Sequence, residues 1–74
     1  MEEKAMVFLK PNEIGRVKEI MGCGDIRKRL FELGLRRGVQ IKMIKNDFGP
    51  LIIGMPGNKL ALGRGIASKI IIQK

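Results

Sequence analysis

Residues 24–43 read GDIRKRLFELGLRRGVQIKM, and the hydrophobic period changes inside them. In the first half Ile26, Leu30 and Leu33 fall at i, i+4 and i+7, which is one stripe of an α-helix. Asp25 is placed to cap the N-terminus, and its charge suits the positive end of the helix dipole. Gly34 is placed to adopt the left-handed conformation that ends a helix, after which Leu35 can pack back on Leu30. The expected helix lies within residues 24–35. After Gly38 the period falls to two: Val39, Ile41 and Met43 point one way, Gln40 and Lys42 the other. A helix that feeds straight into a strand is the frame for the rest of the chain.

Upstream, Ile14 to Met21 reads as a strand whose alternation is broken, because Val17 and Ile20 have different parity; a bulge would reconcile them. Downstream, Asn46-Asp47-Phe48-Gly49-Pro50 is a turn, with each residue type supplying a bend. Leu51 to Met55 is the next strand, and Pro56-Gly57-Asn58 is the best hairpin signal in the chain. Lys59 to Gly63 pairs back, Gly63 to Ala67 reads as a single tight turn, and Lys69 to Gln73 closes the series. About five short strands result, with one helix inserted after the first. The connections are too short for parallel crossovers, so the sheet should be antiparallel. A small sheet hides its edges by curling into a barrel. The expected class is mainly β: a small SH3-like antiparallel barrel, with an OB-type barrel as the structural rival.

A chain of 74 residues is expected to be one domain spanning 1–74. Such a domain buries only about 60 % of the surface its unfolded chain exposes. The 45 % hydrophobic content suffices for one core, and with three Phe and neither Tyr nor Trp that core should be aliphatic. No apolar run approaches the roughly 20 residues of a membrane helix. The acidic start of MEEKAMVFLKPNE does not read as a secretory signal. A single cysteine forms no internal disulfide, which suits the reducing cytosol. Fifteen Lys and Arg against seven Asp and Glu give a net charge of +8. That field steers the chain toward nucleic acid, anionic lipid or an acidic protein surface, or simply keeps it soluble.

Catalytic constellations are missing from the sequence. There is no His, so the commonest acid–base group and transition-metal ligand is absent. Cys23, between Gly22 and Gly24, stands before the helix, where the N-terminus and Arg27 would lower its pKa. The plainer reading, a small residue in a tight loop, is preferred. Met43 and Met55 have core parity, and thioethers suit softer ions than Fe(II), so no metal site is expected. Gly63-Arg64-Gly65 is too little for a phosphate-binding fingerprint, so no cofactor is expected and the chain is read as no enzyme.

The strings RLFELGLRRGVQIKMI and GPLIIGMPGNKLALGRGIASKIII resemble the FeoA family of ferrous iron transport proteins. Arg29, Leu30, Leu33, Gly34 and Gly38 fit the first part of the pattern. Gly49, Pro50, Gly57, Ala61, Leu62 and Ala67 fit the second. The likeness spans roughly residues 9–73, and the same barrel is similar to the C-terminal domain of DtxR-type metalloregulators. The resemblance implies a cytosolic partner of FeoB, a membrane transporter with a GTP-binding domain, acting by contact rather than by its own chemistry. It also implies a chain recruited to the inner face of the membrane by that partner.

Where would a partner dock? Phe31 falls outside the helix stripe, between Arg27 and Lys28, and Arg36 and Arg37 follow on the same rim. An apolar ring framed by cations is how an interface anchor often looks. The proposed partner-binding residues are therefore Arg27, Lys28, Phe31, Arg36 and Arg37, facing an acidic surface of the transporter. Alternatively the N-terminal segment, through Met6 or Phe8, folds over the ring and buries it; this is slightly preferred. The rival functions are a nucleic-acid-binding basic barrel, disfavoured by the scarcity of stacking aromatics, and a stand-alone metalloregulator-type domain. Binding to anionic membrane lacks a second signal. Edge strands leave self-association open.

Overall fold

The parity conflict at Val17 and Ile20 is resolved as a bulge. In the computed structural model, which describes residues 2–74, strand β2 (Ile14–Ile20) pairs antiparallel with the last strand, β6 (Ile70–Gln73). Their register slips between Val17, opposite Ile72, and Glu19, opposite Ile71. The slip turns both Val17 and Ile20 into the core. A second slip occurs where β3 (Gln40–Lys45) pairs with β4 (Leu51–Met55), between Met43 and Lys45, and it leaves Ile44 exposed. β5 (Asn58–Leu62) returns beside β4 through the Pro56-Gly57 hairpin.

Three expectations about the elements are corrected. A short strand β1 (Glu3–Ala5) adds to β6, so the described residues form six strands rather than five, in the order β1-β6-β2-β3-β4-β5. Three residues are too few for periodicity to reveal. The expected tight turn at 63–67 is a short helix, α2 (Arg64–Ala67), because Ala67 and Ser68 donate their N–H groups to the carbonyls of Gly63 and Arg64. The sheet curls but does not close, since β1 and β5 are its two edges. The expected antiparallel, mainly β architecture is otherwise present.

The longer helix, α1 (Gly24–Glu32), is shorter than expected, and its caps differ from expectation at one end only. Cys23, in an extended conformation, is the N-cap residue; Asp25 lies inside the first turn. The C-terminus follows the Schellman pattern: Gly34 has φ +96° and donates to Phe31 O at 3.0 Å, while Leu35 donates to Leu30 O at 2.9 Å. Leu35 is thereby turned fully into the core beside Leu30. Leu33 is not buried with the stripe; it is 42 % exposed, because the chain reverses at Gly34 and Leu35 takes the interior place.

The core is aliphatic, with Met6, Leu35, Ile41, Met43, Leu51 and Ile53 among its fully buried side chains. Each such side chain stabilises by about 1.5–3 kcal/mol relative to leaving it exposed. Strands β2 and β6 approach closely at Gly15, where an added Cβ would lie 2.4 Å from Ile72 Cγ2 and 3.1 Å from Gln73 O. The N-terminal segment enters the core through Met6, which opens a 3-10 turn at Met6–Phe8, and Leu9, which follows it.

Candidate docking groove

The face of α1 that carries Arg27, Lys28 and Phe31 is not the face that meets the core. The segment leaving α1 runs back alongside it, so that Arg36 and Arg37 return to the same side. Together with Ile20 and Leu35 these five residues line a concavity of about 540 Å³. Ile20 and Leu35 are buried and form an apolar floor, and the four cations stand around it.

Backbone bonds and a ring contact hold the rim. The Arg36 guanidinium carbon lies 4.2 Å from the centroid of the Phe31 ring, a cation–π contact of about 0.5–1 kcal/mol at an exposed site. Its Nε donates to Phe31 O at 3.4 Å. Arg37 Nε donates to Lys18 O at 3.0 Å, tying the rim to β2. Two arginines already fixed in place lose less side-chain freedom when they meet a partner. Phe31 itself is 56 % exposed. The expectation that the N-terminal segment covers it is corrected: Met6 goes into the core, and Phe8 lies exposed beside the 46–48 turn.

Electrostatically the groove is uncompensated. Among the described residues the ion pairs are made by Lys4, Lys18 and Lys74 with Glu2, Glu3 and Glu13. None of Arg27, Lys28, Arg36 or Arg37 takes part in one. Arg29, in the same charged run, belongs elsewhere: with Leu33 it borders a smaller hollow against Ala61 and Ile66. Sequence reasoning found the five rim residues but not the floor. The return of Leu35 onto Leu30 and the bulge that reconciles Ile20 with Val17 were both legible in the sequence, but nothing local joins the two side chains into one floor.

Two other candidates were placed as well. Cys23 is exposed at the N-terminus of α1, where the backbone N–H groups of Ile26 and Asp25 hold its thiol below the ordinary value. The cation that contributes is Lys69 rather than the expected Arg27. Among the described residues no three His, Cys, Asp or Glu side chains gather as metal ligands would. Met43 is buried and Met55 packs against the core, which accounts for both thioethers.

The FeoA domain family matches residues 4–74 of this sequence. The chain belongs to the FeoA family. A Methanocaldococcus jannaschii protein provisionally named Fe(2+) transport protein A is 41 % identical over 69 residues, covering 92 % of this chain and 83 % of its own length. The crystal structure of an iron uptake regulatory protein (FeoA) is similar with a TM-score of 0.90 and 27 % identity, over 99 % of this chain and 97 % of that one. These likenesses make the FeoA fold SH3-like rather than OB-type. A manganese-dependent transcriptional repressor shares the fold alone, at TM-score 0.88 and 12 % identity; the likeness covers 95 % of this chain and 40 % of the repressor.

Proposed function

We propose that this FeoA-family chain is a non-enzymatic accessory of ferrous iron uptake that acts by contact with an FeoB-type transporter at the cytosolic side of the membrane. Family membership and the relative's provisional name support the pathway. The observation that carries the mode of action is the groove beside α1, with an apolar floor, a half-exposed ring and four cations that have no acidic partner among the described residues. Such a surface suits an acidic patch bearing an apolar side chain: the side chain enters over Ile20 and Leu35, and carboxylates meet the arginine forks in bidentate geometry. Charge on the rim chiefly raises the rate of encounter and makes it salt-dependent.

The test is capture of the transporter from detergent-solubilised, nuclease-treated cells grown without iron, with the chain as bait. The wild-type chain should retain an FeoB-type transporter. The double variant R36E/R37E should lose at least tenfold in affinity while melting like the wild type, since both side chains are exposed and reversing two charges turns attraction into repulsion. Unchanged affinity at low salt would rule out this docking site. Loss of all captured protein on nuclease treatment would favour the nucleic-acid reading instead.

A further inference from the structure

None of the three phenylalanines is buried, and the groove uses only Phe31. Phe8 is 70 % exposed and Phe48 91 %. The fold brings the segments that carry these two rings together. Asn46 Nδ2 donates to Val7 O at 2.9 Å and to Leu9 O at 2.6 Å, so its side chain straddles the backbone of Phe8. Phe48 projects two residues further on, from a turn in which its own N–H donates to Asp47 Oδ1 at 2.7 Å. Arg64 Nη2 secures the other side of that turn, donating to Asn46 Oδ1 at 2.9 Å and to the carbonyl of Asp47. Both rings therefore stand on mounts fixed by hydrogen bonds, and although Met6 and Leu9 anchor the first mount in the core, neither ring is buried there.

The charges around them are unequal. Lys10 and Lys45 flank the two mounts, both exposed and neither in an ion pair among the described residues. Of the acids at this end, Asp47 accepts the Phe48 N–H, and Glu13 is engaged by Lys4 and Lys74. Rings that project from turns, beside free lysines, suit a soft, flat, negatively charged partner better than a protein pocket, which would need a matching pair of hollows. We infer that Phe8 and Phe48, with Lys10 and Lys45, form a peripheral attachment surface for anionic lipid bilayers. The rings enter the interfacial layer and the lysines meet the phosphate headgroups. Either signal alone is weak; together they give reversible binding. The surface shares no residue with the groove, so it stands independently of the transporter reading.

The experiment is vesicle flotation of the full chain, with mixed phosphatidylglycerol–phosphatidylcholine vesicles set against phosphatidylcholine alone. The wild-type chain should float with the anionic vesicles and less so as salt rises. Phe8→Ser combined with Phe48→Ser should reduce the bound fraction roughly tenfold, with thermal melting unchanged because both rings lie in solvent. The chain has no Trp, so Phe48→Trp provides a single reporter whose emission should shift to the blue on adding anionic vesicles. Equal flotation of the wild-type and Ser variants, or no flotation of the wild type, would overturn the inference. So would an emission shift produced by a single-stranded oligonucleotide and not by vesicles.

Discussion

The groove beside α1 takes six of its seven lining residues from positions 27–37, whereas the clamped turn at 46–48 takes its shape from carbonyls 37 and 39 positions away. At the first, a left-handed glycine, a buried leucine and a returning pair of arginines follow one another along the chain. At the second, a single amide side chain reaches across to the N-terminal segment, and an arginine from α2 reaches back to it. The groove rests on burial, through Leu35, and the turn rests on hydrogen bonds, through Asn46.

The sharpest way to break this contrast is to remove the two anchors separately. Leu35→Ala deletes a fully buried side chain that is both core and groove floor, and should cost about 2–5 kcal/mol in urea unfolding. Asn46→Ala leaves the carbonyls of Val7 and Leu9 and the Arg64 guanidinium without this partner, and should cost about 1–3 kcal/mol. Its effect should be local, raising amide exchange at residues 7–10 and 46–48 before α1 responds. If Asn46→Ala proves more costly than Leu35→Ala, hydrogen bonding rather than burial dominates this small core.

Acid offers a finer probe of the same contrast. Glu13 lies on the N-terminal side of the clamped turn, and its carboxyl is held at about 2 instead of the ordinary 4.5. The largest cause is the Lys10 N–H, which donates to Oε1 at 2.6 Å, followed by the hydrogen bond from Lys74. A lowered carboxylate pKa means that the stabilisation is complete above the ordinary value and is lost as pH falls from about 4.5 toward 2. Over that window the Lys10 amide should exchange faster while the α1 amides keep their protection. Glu13→Gln should abolish this part of the pH dependence, as read from amide exchange against pH.

The same contrast accounts for what could be read in advance. The end of α1, the β3 alternation and the bulge in β2 are carried by neighbours in the chain and each is found in the structure, and the five residues proposed for docking line one concavity. Asp25 as cap and Leu33 as core failed because α1 begins at Gly24 and the reversal at Gly34 hands the interior place to Leu35. β1, the Asn46 clamp and the exposure of Phe8 depend on pairings between distant segments. No local pattern encodes them, and Phe8 looked like a cover for Phe31 only because its destination beside Asn46 was invisible.

The groove beside α1 is proposed as the face that meets an FeoB-type transporter. The most direct measurement is an amide chemical-shift titration of the isotope-labelled chain with the purified cytosolic GTP-binding domain of an FeoB-type transporter. Perturbations are expected to centre on Arg27, Lys28, Phe31, Arg36 and Arg37 and to weaken as salt is raised. Perturbations confined to the β5 edge or to the 46–48 turn, with those five residues silent, would contradict it.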